Sequence, residues 1–136
     1  MDMILELLST LPRFAAYLGT AFATTAVFIF VYTAVTPQSE WKLLREGNIS
    51  AALSFGGSLL GFVLPLASAI AHSVSLLDCV VWGLVALVIQ VASFFALRLF
   101  LPNLPRDIEE DHRGNATFSG IVFLAVGILN AACMTW

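Results

Sequence analysis

Residues 14–35 read FAAYLGTAFATTAVFIFVYTAV, a stretch with no charged side chain. A helix rises 1.5 Å per residue, so about 20 apolar residues cross the roughly 30 Å hydrocarbon layer of a bilayer. The run exceeds the ~7–15 apolar residues of a secretory leader, and it follows the acids Asp2 and Glu6 rather than a basic segment. It reads as a retained transmembrane helix from about Arg13 to Val35. Tyr17 and Tyr32 fall near its ends, where amphipathic rings favour the membrane–water boundary. Pro12 suits the first helical position, whose N–H has no partner in any case, and Pro37 stops the helix. Upstream, residues 1–11 (MDMILELLSTL) fit either a short interfacial helix or a frayed tail.

Three similar spans follow. The second runs from a cap at Asn48 or Ser50 to about Ala71. The third covers about Leu76 to Leu101, with Ser75 and Asp78 spaced as a capping box. The fourth begins after a cap at Asn115 and reaches Trp136, which suits an interfacial anchor. Between them lie two polar loops, TPQSEWKLLREGN (36–48) and PNLPRDIEEDHRGN (102–115). The fold expected is all-α: one polytopic membrane domain over 1–136 with four transmembrane helices. Composition agrees, at 60% apolar and 11% charged, against roughly half and a quarter in soluble domains.

The chain repeats itself. With Tyr17 placed on Trp82, Pro37 falls on Pro102 and Thr25 on Gln90. Each loop ends in Gly-Asn, at Gly47-Asn48 and Gly114-Asn115, and Gly61 and Gly127 follow at nearly equal distance. These matches point to two tandem helix–loop–helix repeats, about 13–71 and 76–136. Each crosses twice, so the repeats run parallel, about an axis along the membrane normal. Of the six Lys and Arg residues, Lys42, Arg45, Arg106 and Arg113 sit in the two loops and Arg98 lies beside the second. Basic loops stay in the cytoplasm, so both termini are expected in the periplasm.

Several chemistries are disfavoured. A net charge of −3 does not suit nucleic acid. Cys79 and Cys133 form no ligand pattern with His72 or His112, so neither metal nor cofactor is expected. Compartment permits a Cys79–Cys133 bridge, with two free buried thiols as the favoured alternative. The His72, Ser73, Ser75 and Asp78 set reads as a polar turn with a cap, and no enzyme activity is expected.

Within the spans the polar residues are uncharged. Thr25, Ser58, Gln90 and Asn130 suit interhelical hydrogen bonds or, alternatively, a polar path for a solute. The second span carries Gly57 and Gly61 as GxxxG, with Gly56 beside them and a stripe of Ser50, Ser54 and Ser58. Small residues let helices approach closely in lipid, and Pro65 removes one backbone donor. Gly56, Gly57, Gly61 and Pro65 therefore mark the expected packing centre of the bundle or of an oligomer. In the loops, Trp41, Lys42, Leu44 and Arg45 form a candidate docking surface, and Ile108 stands as a lone apolar residue among acids.

The stretches TPQSEWKLLREGNISAALSFGGSLLGFVLPL (36–66), VVWGLVALVIQ (80–90) and NAACMTW (130–136), with E-W-x-L at Glu40–Leu43, resemble the YjfL-type family of bacterial inner-membrane proteins. The resemblance covers about Tyr17 to Trp136. It implies a small four-span protein of the inner membrane with a duplicated domain of unknown function, and it carries over no activity, cofactor or catalytic residue. Relatives can be encoded near phage-shock-type peripheral membrane proteins, which makes a cytoplasmic peripheral partner conceivable beside the lipid bilayer and a homo-oligomer. Two functions stay open: a membrane partner or organiser acting through its loops, and a small oligomeric channel or transporter.

Overall fold

The computed structural model describes residues 2–134. It contains α1 (Asp2–Val35), α2 (Glu40–Arg45), α3 (Ile49–His72), α4 (Leu76–Phe100), α5 (Leu104–Glu109) and α6 (Arg113–Cys133). Among the described residues, α1, α3, α4 and α6 are long and apolar enough to cross a membrane. The architecture is all-α with four spanning helices, as expected. The anchor position Trp136 lies outside the described residues.

The N-terminal segment is neither a separate interfacial helix nor a frayed tail: α1 runs unbroken through Pro12. Proline there removes only the bond to the Leu8 carbonyl, and the hydroxyls of Ser9 and Thr10 donate to the Glu6 and Leu7 carbonyls just upstream (2.6 and 2.7 Å). At 1.5 Å per residue α1 is about 50 Å long, so its charged N-terminal end extends past the uncharged Phe14–Val35 core. Only Thr24, Phe28 and Tyr32 of α1 are buried. Tyr17 stays part-exposed, with the Arg13 guanidinium 5.9 Å from its ring centre. Tyr32 is fully buried inside the bundle, which corrects its reading as a boundary aromatic.

Helix starts follow local chemistry. The Asn48 side chain accepts from the Ala51 N–H at 2.8 Å, and Ser75 accepts from the Asp78 N–H at 3.1 Å. Asn115 does not cap α6. That helix already begins at Arg113, and the Asn115 amide donates instead to Asp107 at 2.8 Å. Cys79 and Cys133 are both free; Cys79 is buried, but Cys133 is exposed rather than buried.

Helices α3 and α6 form the tightest pair. A Cβ built on Gly57 would collide with the backbone of Gly120, and one on Gly127 with the backbone of Gly61. Gly120 in turn abuts the Leu53 carbonyl. Two backbones meet here with no side chain between them, the arrangement that small residues permit in lipid. Pro65, buried in α3, lacks the N–H that the Gly61 carbonyl would accept, and that carbonyl faces Gly127. Gly56 has open space around its Cα, so it is no part of the crossing.

The second loop folds back as a lock. Ile108 is buried (1% exposed), not a free apolar residue among acids. Its carbonyl accepts from the Asn48 amide at 2.8 Å. One Asp111 carboxylate oxygen accepts from both the N–H and the hydroxyl of Ser50, at 2.9 and 2.7 Å. Asp111 adopts φ +57° to do so, a left-handed conformation that aspartate tolerates better than most residues. The bonds from Ser50 hold its carboxyl below the usual aspartate range.

Candidate functional site

Two polar constellations sit inside the bundle. The first is centred on Gln90 of α4, which is 1% exposed. Its amide Nε2 donates to the Ser58 carbonyl of α3 and the Phe123 carbonyl of α6, both at 3.1 Å. A Cβ on Gly61 would strike this amide nitrogen, so the bare α3 backbone is what makes room for the bridge. The nearby Ser119 hydroxyl of α6 donates to the Ser54 hydroxyl at 3.1 Å.

Of the residues expected to contribute hydrogen bonds or a polar path, Ser58 and Gln90 come together. Thr25 does not join them. Its hydroxyl bonds back to the Ala21 carbonyl of its own helix at 2.8 Å, and it lines a shallow α1–α3 groove with Phe22, Val63 and Leu66. Asn130 is half-buried two turns beyond Phe123 and takes no part in the bridge.

The second constellation lies at the loop end. Tyr32 is boxed by aromatic rings: stacked on Phe55 at 5.6 Å, and edge-on to Phe94 and Phe123 at 5.8 and 6.3 Å. The hydroxyls of Ser58 and Ser54 of α3 lie beside its own, and Glu40 is the nearest acidic group. Glu40 is 2% exposed. One carboxylate oxygen accepts from the Thr36 hydroxyl at 2.8 Å; the other is buried without a partner. Glu40 precedes the spanning part of α3, and burial pushes its carboxyl up to about 7, opposed by the Thr36 hydroxyl and a backbone N–H.

Tyr32, Thr36 and Glu40 were not legible as site residues by charge or hydropathy. One signal was available. Glu40 and Leu43 stand three apart on α2 and so share a face; Leu43, once buried, turns Glu40 inward.

Lys42 and Arg45 of α2 point out. Trp41 is half-exposed, Lys42 and Arg45 are exposed, and Leu44 is part-buried against the core. All four residues of the expected docking surface therefore lie on one short helix, seated by Leu43 and by the edge-on contact of Trp41 with Phe55 at 5.7 Å.

The chain matches the family described as Domain of Unknown Function (DUF350) over residues 6–134. It belongs to that family. It is 42% identical over 132 residues to the UPF0719 inner membrane protein YjfL of Escherichia coli K12, covering 97% of this chain and 100% of that one. It is 27% identical over 124 residues to the UPF0719 transmembrane protein YshE of Bacillus subtilis, covering 90% and 92% respectively. No solved structure matches. The relatives and the four apolar helices make this DUF350 chain a multi-pass protein of the bacterial inner membrane.

Proposed function

We propose that this DUF350 protein is a non-enzymatic membrane organiser whose α2 face docks on anionic headgroups at the cytoplasmic surface. The observation that carries the reading is the division of α2. Glu40 and Leu43 are buried, Lys42 and Arg45 are exposed, and Trp41 is half-exposed at the edge of the Phe55 ring. An aromatic residue flanked by two cations, on a helix at the end of the spans, has the chemistry of an interfacial contact. Basic residues in both loops support a cytoplasmic loop face, with both termini periplasmic. The order of long, short and long helix occurs twice, which supports two repeated halves over about 13–71 and 76–136. The largely unburied α1 supports assembly with a second copy.

A channel within one chain is disfavoured by the packed interior. Phe28 stacks on Phe62 at 4.4 Å, and Tyr32 with its ring neighbours fills the level above.

Phosphatidylglycerol titrated into the protein in a neutral detergent should raise its melting midpoint more than phosphatidylcholine does. Lys42→Ala with Arg45→Ala should weaken that response about tenfold or more, at about 1 kcal/mol per basic residue. An unchanged lipid response, with a cytosolic protein lost from pull-downs on Trp41→Ala, would move the partner from lipid to protein. Solute flux through proteoliposomes that Gln90→Leu abolishes would replace the reading with a channel.

A further inference from the structure

We propose that the end of α1 farthest from the loops pairs, as a parallel coiled coil standing clear of the membrane, with the same segment of a second copy of this chain. The seam rests on the assembly with a second copy named above and is independent of α2 docking.

The position of the segment follows from the bundle. On α4, Asp78 and Arg98 bracket a charge-free run, residues 79–97, about 28 Å long and so close to the thickness of the hydrocarbon layer. A Cβ on Gly83 of α4 would stand 3.1 Å from the Thr24 methyl of α1, so the two helices are level there. Both run toward the loop end. Asp78, one turn and a half before Gly83, is therefore level with about Gly19. Headgroups add roughly 5–7 Å on each side, which covers about four further residues of helix. From Phe14 back to Asp2, α1 stands in water. It is unbroken through Pro12, so this end does not fold down onto the lipid surface.

In water the segment shows an apolar stripe. Ile4, Leu7, Leu11 and Phe14 alternate in steps of three and four, the spacing of a coiled-coil seam, and all are 52–62% exposed. Asp2, Glu6, Ser9 and Arg13 repeat with the same alternation on the reverse face. Lipid does not reach the stripe, and a contiguous apolar face in water marks a protein contact. The spacing continues through Leu18 to Ala21, Thr25, Phe28 and Tyr32. There the line packs within its own chain, Phe28 on Phe62 and Tyr32 on Phe55 of α3. One line of α1 is thus used inside the bundle and continues bare beyond it.

A second copy matches the bare half. Copies inserted in the same orientation hold their α1 ends parallel and at equal height, so identical stripes face each other in register. The acids lie on the reverse face, and no like charges meet across the seam. A helix pair this short is marginal when free in solution, but the spans confine both copies to one plane and raise their effective concentration.

Two measurements on the full chain test the seam. In membranes, Leu7→Cys or Leu11→Cys, each combined with Cys133→Ser, should give about tenfold more covalent dimer on oxidation than Glu6→Cys or Ser9→Cys, because only seam positions bring the two sulfurs within bonding reach. Equal dimer from both faces, or none from the seam, would overturn the proposal. When two differently tagged copies are co-expressed, one should capture the other, and Leu7→Glu with Leu11→Glu in both should cut capture about tenfold. These side chains are exposed within the single chain, so the melting midpoint of the bundle should stay at the wild-type value and exclude misfolding as the cause. Capture that survives the double substitution would overturn the seam and leave assembly to the spans. Wild-type copies that do not capture each other would overturn both the seam and the assembly.

Discussion

Gly61→Leu should fail to give a folded bundle, and Gly57→Leu should fail nearly as badly. A Cβ at Gly61 already meets the Phe123 backbone and the Gln90 amide, and one at Gly57 meets the Gly120 backbone. Backbone cannot swing aside as a side-chain tip can, so α3 and α6 must separate. Overpacking of this kind costs about 1–3 kcal/mol per site and sometimes more, a large share of a marginal stability. Separation also breaks the Gln90 bridge, which adds to the loss. Two controls bracket the effect. Gly83→Leu should cost less, because only the side chains of Thr24 and Leu66 lie near, at 3.1 and 3.4 Å. Gly56→Ala should be neutral or slightly stabilising, since nothing stands in its way and alanine favours helix over glycine by about 1 kcal/mol. Size-exclusion profiles and melting curves in detergent check all four; wild-type behaviour of both Gly57→Leu and Gly61→Leu would show that the helices do not meet backbone to backbone.

Gln90→Glu should be the most damaging conservative change. Both partners of the amide are carbonyl oxygens, so only a donor satisfies them. A carboxylate would set a buried charge against two acceptors, a cost of several kcal/mol. Its protonated form restores one donor, so the loss should be greater at pH 8 than at pH 5. Gln90→Leu should cost less, about 1–2 kcal/mol, since interhelical hydrogen bonds in membranes average ~0.6 kcal/mol each and both carbonyls keep their helical donors. Melting midpoints of the two variants at the two pH values decide this; a Glu variant as stable as the Leu variant at pH 8 would mean that the site is open to water.

The spans were legible because hydrocarbon thickness acts on residue number and polarity alone, and Ser75 and Asn48 mark helix starts by local chemistry. The α3–α6 crossing was half legible. Gly57 and Gly61 form a motif within one helix, whereas Gly120 and Gly127 stand seven apart and their match to α3 emerges only on packing. Gly56 looks the same in sequence as its neighbour and differs only in which way its Cα points. Pro12 misled because the residues around it give no cue that the helix continues. Ile108 and Asp111 sit in a segment whose composition reads as solvated loop, and only the return of that loop to the N-terminus of α3 buries one and partners the other. Tyr32 carries the signal of a membrane-boundary ring and of a core ring equally, and contact with Phe55, Phe94 and Phe123 decides between them.

Docking of α2 requires that the loop face with Trp41, Lys42 and Arg45 lie in the cytoplasm. A reporter joined after Trp136 reads that directly, since four spans put this end opposite the loops. Alkaline phosphatase fused there should be active in cells, and a fluorescent protein that folds only in the cytoplasm should stay dark at the same position. A bright fluorescent fusion with an inert phosphatase would place the loops outside and contradict the account.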